Sequence, residues 1–491
     1  MRVTVFFLAI GLATALDNGL ARTPQLGWNT WNSFACSMNE TVILDAAKRI
    51  VELGFKDLGY NYVVLDDCWS AGRNSSGYLV PDSQKFPNGI ADVADKIHDM
   101  GLKIGIYSSA GTMTCARYAG SLGYEDKDAA VWASWGIDYL KYDNCYNQGE
   151  EGTPKLSYDR YNAMGKALNS TGRPILYSLC NWGSDGPWNF APTIANSWRT
   201  SGDLTNVWNR EDVNCPCAEL DGLDCKLPGY HCSVMNVVNK AVYYPSKAYA
   251  GAWNDLDMLR EFPIRVMNYR VFVTDRERTE VGNGGLTEDE AISHFSLWAA
   301  LKSPLLMTNV MTKIDAPTLS ILQNTAVLAV SQDPQGSSAV RIWRYYVDDG
   351  EIQMYSGPLS GGDQLVLLLN GGTKARDMNA TLNDIFWENG PDGTASQAKS
   401  SWDVYDLWAG RMSNATANAI IQDGENATRP INMTAEGGAS KVYSQVPLPT
   451  SKALMGSKIS TVKPGGSVSA HVKPHGVAMF RLREIKTNDE L

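Results

Sequence analysis

The sequence predicts an α/β fold, a (β/α)8 barrel followed by an antiparallel β-sandwich, and two observations support this prediction. From about residue 24 to 312, short apolar runs alternate with helix-period segments, which is typical of a parallel sheet. Eight such runs occur: "QLGWNTWN", "YNYVVLDDCW", "LKIGIYS", "IDYLKYDNC", "PILYSLC", "NSWRTSGD", "GAWNDLDML" and "SPLLMTN". After about residue 335 the pattern changes to alternating or short apolar runs separated by Gly, Asn and Asp, such as "QLVLLLNGG" and "VAMFRLRE". We therefore assign residues 16–334 to a TIM barrel and residues 335–491 to a β-sandwich.

The segments between the strands are amphipathic helices. In "NETVILDAAKRIVELGF" the apolar residues fall on one helical face, which is made of Val42, Ile43, Ala46, Ala47, Ile50, Val51 and Leu53. Each predicted strand ends in Trp, Asp, Asn, Tyr or Lys. Because barrels of this class build their active sites at the carboxyl ends of the strands, these polar endings predict a site there.

Composition excludes several classes of function. The chain has 491 residues, 44% of them hydrophobic and 20% charged, with 43 Lys and Arg against 53 Asp and Glu. This balance is that of a globular protein without the basic stripe that a nucleic-acid surface needs. The five histidines have no ligand spacing, and no nucleotide-binding or serine-hydrolase motif is present. We predict no cofactor and no metal.

The N-terminus predicts export. Residues 1–15, "MRVTVFFLAIGLATA", have an early charge, a short apolar run and small residues before the cleavage point, as a signal peptide does. The run is too short to span a bilayer, so we predict a secreted protein with no membrane anchor. The final "NDEL" shares three residues with ER-retention signals, but Asn488 stands where Lys or His is expected; we interpret it as a polar tail, with retention as the minor alternative.

Glycosylation and disulfides fit this route. Seven Asn-X-Ser/Thr sequons indicate a glycoprotein: Asn39, Asn74, Asn169, Asn379, Asn414, Asn426 and Asn432. Export also makes the nine cysteines candidates for disulfides and not for metal ligation.

Charged residues recur at three strand ends, in "LDDCW", "LKYDNC" and "WRTSGD". One carboxylate alone fits a salt bridge or a helix cap, but carboxylates that meet beside tryptophans suit glycoside chemistry, in which one attacks the anomeric carbon and another protonates the leaving oxygen. Lys141 lies two residues before Asp143, so both side chains face the same side of the strand. We expect Lys141 to keep Asp143 ionised as a nucleophile, and Asp203 to need a raised pKa to donate a proton.

These motifs resemble glycoside hydrolase family 27, the α-galactosidases or melibiases. The resemblance begins at "LDNGLARTPQLGWNTWNSF", continues through "DDCW", "GIYSSAGTMTC", "WGIDYLKYDNC", "YSLCNWG", "WRTSGD", "WNDLDML" and "EVGNGG", and covers essentially the whole mature chain. It implies a retaining double displacement with Asp143 as nucleophile and Asp203 as acid/base. The implied galactose subsite comprises Trp31, Asp66, Asp67, Tyr107, Cys115, Lys141, Cys180, Trp182, Arg199, Asp257 and Met258.

The resemblance also implies substrates and disulfides. Expected substrates are terminal α-galactosides: melibiose, raffinose-type oligosaccharides and galactomannan side chains. Trp182 should exclude an acetamido group, which argues against the alternative of an α-N-acetylgalactosaminidase. Cys36 with Cys68 and Cys115 with Cys145 resemble the family's two barrel bridges. A cluster of four should pair internally with open connectivity, namely Cys215, Cys217, Cys225 and Cys232, which leaves Cys180 free. The oligomeric state is open.

Residues 260–279 interrupt the family pattern. In the family, a "WNDPDML" motif leads directly into "EVGNGG", whereas here Arg260 to Thr279 intervene and Leu256 replaces the proline. The segment is a tolerated surface loop, an arginine-bearing lid or an intron translated in frame. We favour the intron, because lids normally have Gly, Pro or Asn at their ends and this run has only Pro263 there. An alternative from another class is a galactose-binding glycoprotein that the insertion has inactivated; a calcium-dependent lectin is a third, without a recognisable ligand loop.

Overall fold

A computed structural model describes residues 18–210, 215, 232–260, 285–387, 395–429 and 438–486. The predicted signal peptide, the insertion after Arg260 and the terminal "NDEL" lie outside these ranges. Eight parallel strands form one curled sheet, which confirms the barrel prediction. They are β1 (Leu26–Asn29), β2 (Tyr62–Val64), β3 (Lys103–Ser109), β4 (Tyr139–Asp143), β5 (Leu176–Cys180), β6 (Ser197–Arg199), β7 (Trp253–Asp255) and β8 (Leu305–Met307).

The strands follow one another around the barrel in chain order. The ladder runs from β8 to β1 and then in sequence to β7. The N–H of Leu259, just after β7, donates to the carbonyl of Leu306 in β8 at 2.9 Å and joins the two ends. In-register pairing sets Tyr107 beside Lys141 and Ser109 beside Asp143. Because neighbouring parallel strands end at the same level, their last side chains converge at one mouth of the barrel.

The helices between the strands cover the sheet. The first long helix, Glu40–Glu52, buries Ile43, Ala46, Ala47 and Ile50, which lie on the apolar face predicted from the sequence. The Asn39 side chain caps this helix by accepting from the N–H of Val42 at 3.0 Å. The remaining helices of the described chain are Trp31–Phe34, Gly89–Asp99, Glu125–Ser134, Pro154–Ser170, Val234–Ala241, Glu288–Ala300, Ala316–Leu322, Thr325–Ser331, Leu382–Ile385, Asn414–Asp423, Ala439–Tyr443 and Lys452–Met455. Across the described ranges, none combines the length and apolar character that crossing a membrane requires. A small hairpin, Ser70–Arg73 with Leu79–Pro81, extends from β2.

The C-terminal region is antiparallel, as predicted. Six strands form its main sheet in the order β9-β10-β11-β16-β13-β14, and β12 pairs with β15. Their bounds are β9 (Val340–Val347), β10 (Gly350–Pro358), β11 (Gln364–Asn370), β12 (Arg376–Thr381), β13 (Trp402–Asp406), β14 (Ser457–Val462), β15 (Ser467–Val472) and β16 (Val477–Glu484). Along β11, Val366 and Leu368 enter the core between these sheets. Leu365, Leu367 and Leu369 lie on the opposite face and belong to the larger core that includes the barrel. The two faces of β11 therefore pack into two different cores.

Candidate active site

A cavity of about 270 Å³ opens at the carboxyl ends of the barrel strands. A volume of this order is near the lower end of small-molecule sites. Its lining residues are Trp31, Asn32, Asp66, Tyr107, Cys115, Lys141, Asp143, Cys145, Cys180, Trp182, Arg199, Asp203, Asp257, Met258 and Arg260. They follow several different strands, which is how barrels of this type assemble a site.

Asp66 is fixed at one wall of the cavity by three donors. The ammonium of Lys141 lies 2.7 Å from its Oδ2, and the Asn29 side chain donates to the same oxygen at 2.8 Å. The Asp67 N–H donates to Oδ1 at 2.9 Å. Burial alone would lower the pKa of Lys141, but the nearby Asp66, Cys180 and Asp143 raise it well above its usual value. Lys141 is therefore a fixed cation whose direct partner is Asp66.

Asp143, the last residue of β4, is held by two donors. The Tyr107 hydroxyl donates to its Oδ2 at 2.9 Å, and the Asn144 N–H donates to Oδ1 at 2.9 Å. Burial raises the pKa of Asp143 to about 7; Lys141 opposes this effect and the charge of Asp203 adds to it. The expectation that Lys141 keeps Asp143 ionised is therefore wrong, because desolvation outweighs a cation that is shared with Asp66.

Arg199 links two carboxylates on the opposite wall. Its guanidinium lies 3.0 Å from Oδ1 of Asp257 and 3.2 Å from Oδ1 of Asp203. The Asp203 side chain is 53% exposed and lines the cavity. Although burial acts to raise it, Arg199, Lys141 and Arg260 hold the pKa of Asp203 below its usual value. The raised pKa expected for Asp203 as a proton donor is therefore not found.

Asp257 adopts a strained backbone to reach Arg199. Its φ of 82° lies in the left-handed region, which is uncommon for a residue with a side chain. Its carboxylate accepts from the N–H groups of Leu204 and Met258 at 2.8 and 2.7 Å, and Trp298 donates to its carbonyl at 2.8 Å. Strain that is held in place by so many contacts is common at functional sites.

The described cysteines occur in two chemical forms, and Cys115, Cys145 and Cys180 line the cavity. Disulfides join Cys36 to Cys68 and Cys115 to Cys145, and a third joins Cys215 to Cys232. Cys217 and Cys225 lie outside the described residues, and Cys180 is a buried free thiol. Within the described ranges, the one group with ligand spacing for a metal is Cys115, Asp143 and Cys145. Because its two sulfurs are bonded to each other, they cannot serve as the thiolate ligands that such a site needs.

The structure brings together all the predicted catalytic and binding side chains except Asp67. The oxygens of Asp67 accept from the N–H groups of Cys68 and Ala116 at 2.7 and 2.8 Å, and the residue is not among those that line the cavity. Its expected contact with sugar hydroxyls is therefore not prepared in this conformation. Burial raises its pKa above the usual value.

Sequence reasoning missed three lining residues. Cys145 was predicted as a disulfide partner only, although its bond to Cys115 already implied the position. Asn32 follows Trp31 in the short helix Trp31–Phe34 and also lines the cavity, and strand periodicity gives no signal for a residue in this helix. Arg260 had been placed in the insertion, yet it lines the cavity and lowers the pKa of Asp203.

Comparisons with known proteins identify the family of the chain. Residues 23–262 and 272–333 match the family model described as alpha galactosidase A, and residues 349–428 match the alpha galactosidase C-terminal beta sandwich domain. An alpha-galactosidase of Zygotorulaspora mrakii is 49% identical over 481 residues, covering 97% of this chain and 96% of its own length. An alpha-galactosidase of Saccharomyces paradoxus is 48% identical over 472 residues, covering 95% and 94%. The structure of the Saccharomyces cerevisiae alpha-galactosidase with raffinose is similar with a TM-score of 0.86 at 47% identity, covering 95% of this chain and 99% of that one. The chain therefore belongs to the melibiase family, glycoside hydrolase family 27.

Proposed function

We propose that the chain is a secreted, retaining α-galactosidase that removes terminal, non-reducing α-D-galactosyl residues. The observation that supports this most directly is the cavity itself, in which Asp143 and Asp203 interact electrostatically between the fixed cations Lys141 and Arg199. Two carboxylates flanking one small cavity are the minimum that glycoside hydrolysis needs.

In the proposed reaction Asp143 attacks the anomeric carbon while Asp203 protonates the departing oxygen. A covalent galactosyl-enzyme forms, and Asp203 then takes a proton from the water that releases the sugar. This sequence starts from a pair of carboxyls that holds one proton. Because the charge of Asp203 raises the pKa of Asp143, the two carboxyls titrate as a coupled pair. The pair retains one proton up to about pH 7 and loses it above that pH. Sugar binding would cover the half-exposed Asp203 carboxyl, raise its pKa and favour the proton there.

The expected substrate is galactose in α-linkage. The ion-paired Asp66 offers a buried acceptor to sugar hydroxyls, and an epimer that fails to donate to it would leave a charged acceptor unpaired. Trp182 lines the cavity beside Cys180 and leaves a bulky ring where an acetamido group would need space. We propose melibiose, raffinose-type oligosaccharides and galactomannan side chains as substrates; a relative has been solved with raffinose, which supports the first two classes.

Export is part of this proposal. The leader at residues 1–15 supports it, and six of the seven sequon asparagines are exposed to solvent while Asn432 lies outside the described residues. Glycans attached at these positions would project from the surface without disturbing the core. Treatment with an endoglycosidase should lower the apparent mass of the secreted protein by several glycans.

The insertion decides whether the chain as written performs this reaction. We propose that residues 260–279 are foreign to the enzyme, and the break in the family match between residues 262 and 272 falls inside this segment. A shift of about 1 Å in a catalytic position can cost on the order of a hundredfold in rate. Arg260 directly follows the Asp257 loop, so the segment starts at the cavity wall.

The test is hydrolysis of an aryl α-galactoside by the full chain, beside a variant that lacks residues 260–279. An aryl α-N-acetylgalactosaminide is the paired substrate, and Asp143→Asn in each background is the control for contaminating activity. Activity in the shortened chain alone supports both the galactosidase and the foreign insertion. Equal activity in both refutes the insertion hypothesis, and galactose binding without turnover in either identifies a binding protein. Faster cleavage of the acetamido substrate would identify the other enzyme.

A further inference from the structure

We propose that Arg160 is a positioning residue for this reaction, because it fixes, through Asn144, the backbone N–H that holds the carboxylate of Asp143. The inference rests on the proposed function, in which Asp143 is the nucleophile. Neither Arg160 nor Asn144 lines the cavity, so neither can act on the sugar directly. Each is only 3% exposed.

Arg160 connects three segments around the end of β4. It lies on the helix Pro154–Ser170, which follows that strand. Its Nη2 donates to the Oδ1 of Asn144 at 2.6 Å, its Nη1 to the carbonyl of Ala110 at 2.8 Å and its Nε to the carbonyl of Glu150 at 3.0 Å. Three acceptors in three directions match the planar fork of a guanidinium, and a lysine ammonium cannot reach them all.

The same contacts converge on Asp143. The N–H of Ala110 donates to the Asp143 carbonyl at 2.9 Å. The Tyr161 hydroxyl donates to that carbonyl at 3.2 Å, and the Arg160 guanidinium lies 4.7 Å from the centre of the Tyr161 ring. The backbone of Asp143 is thus held from β3 and from the helix at once. Its freedom to move depends on the guanidinium that joins these two elements.

Asn144 transmits this restraint to the carboxylate. Its side chain accepts from Arg160, while its own N–H donates to the Oδ1 of Asp143 at 2.9 Å. The only other described hydrogen bond to that carboxylate comes from Tyr107. If Asn144 rotates away, Asp143 keeps one donor instead of two, and its pKa moves further above the usual value because the N–H favours the ionised form.

The kinetic consequence is specific. Hydrogen bonds to a charged group are worth enough for a ten- to hundredfold effect on a rate, and this one acts on the nucleophile and not on bound sugar. We therefore expect Arg160→Lys to lower kcat by about tenfold or more while KM changes by less than about threefold. A higher pKa of Asp143 should also move the alkaline limb of the kcat/KM profile upward.

Arg173 provides a matched control. It follows the same helix and binds the opposite, amino end of β4, where its Nε donates to the Ile137 carbonyl at 2.7 Å and its Nη2 to the Gly136 carbonyl at 2.8 Å. Arg173→Lys should lower stability without changing kcat or the pH profile of folded enzyme. If Arg160→Lys behaves in the same way, Arg160 is merely structural and the proposal is overturned.

A double-mutant comparison tests the route through Asn144. Arg160→Lys, Asn144→Ala and the double variant should share one kinetic defect, because all three remove the same restraint. If the fold-reductions in kcat of the two single variants multiply in the double variant, the route through Asn144 is refuted. If Arg160→Lys does not fold, Asn144→Ala still decides the question through its kcat and pH profile.

Hydrogen exchange separates this inference from the proposed function. In the full chain, the peptide that spans residues 143–150 should lose amide protection in Arg160→Lys and retain it in Arg173→Lys, whether or not the protein turns over galactosides. A parent that is inactive both with and without residues 260–279, together with this exchange pattern, would refute the proposed function alone. Unchanged protection in Arg160→Lys would refute the positioning role alone.

Discussion

Replacing Asp143 with asparagine should abolish turnover and, at the same time, stabilise the protein near neutral pH. The Asp143 side chain is buried, and burial together with the charge of Asp203 raises its pKa to about 7 from the reference value of 3.8. The folded state therefore binds this proton more tightly than the unfolded chain. The resulting stability is fully present below about pH 4 and is lost as the pH rises through about 7.

The magnitude follows from the gap between the two pKa values. The two pKa values differ by about 3, and a difference of one corresponds to about 1.36 kcal/mol. Ionisation of the Asp143 carboxyl therefore destabilises the folded state by roughly 4 kcal/mol near pH 7. Asparagine carries no charge at any pH and can still accept from the Asn144 N–H and donate to the Tyr107 hydroxyl. Asp143→Asn should therefore gain up to roughly 4 kcal/mol at about pH 7 and less than about 1 kcal/mol at about pH 4.

Denaturant unfolding of the parent and of Asp143→Asn at these two pH values measures the difference. Asp159→Asn controls for the loss of one negative charge, because Asp159 lies at the surface with Lys155 as its partner. A gain that is equal at both pH values would show that packing and not ionisation is responsible. No gain near pH 7 would refute the raised pKa and with it the coupled-pair account of the active site.

Three further predictions concern the same cavity. The kcat/KM for an aryl α-galactoside should fall as the pH rises through about 7, since the pair formed by Asp143 and Asp203 then loses its last proton; a flat rate into alkaline pH would contradict this. Arg199→Lys should reduce kcat/KM by on the order of ten- to a hundredfold, because an ammonium cannot bridge Asp203 and Asp257 together; steady-state kinetics with wild-type-like unfolding would locate the loss in the site, and an unchanged kcat/KM would refute the bridging role. Prolonged treatment with a chelator should leave the rate unchanged, and a loss that added divalent cation reverses would overturn the metal-free assignment.

Periodicity and strand endings were sufficient for much of the fold. All eight predicted runs are barrel strands, and the helix Glu40–Glu52 buries the face that its apolar spacing indicates. Alternation likewise predicted the antiparallel C-terminal sheets. Local sequence could do this because burial on a strand or a helix face requires a side-chain pattern that the chain must carry in its own order.

The catalytic electrostatics could not be predicted in this way. Lys141 and Asp143 lie on one face of β4 as their spacing requires, yet the closest partner of Lys141 is Asp66 on another strand. Because Lys141 is shared with Asp66, it does not keep the pKa of Asp143 low, and the ion pair with Arg199 lowers the pKa of Asp203. Spacing along a strand shows which side chains share a face, but it does not show which charges they meet across the barrel.

The sequence by itself determined the barrel through periodicity that is local in the chain, and most of the side chains at its mouth through strand endings and the family resemblance. The tertiary structure alone decided that Asp67 turns to the N–H groups of Cys68 and Ala116, and that Arg160 supports the end of β4. It also decided that the charge of Asp203 raises the pKa of Asp143, while Arg199 lowers that of Asp203. Hydrogen-bond partners and pKa values depend on distances and desolvation between segments far apart in sequence, and these exist only once the barrel has formed.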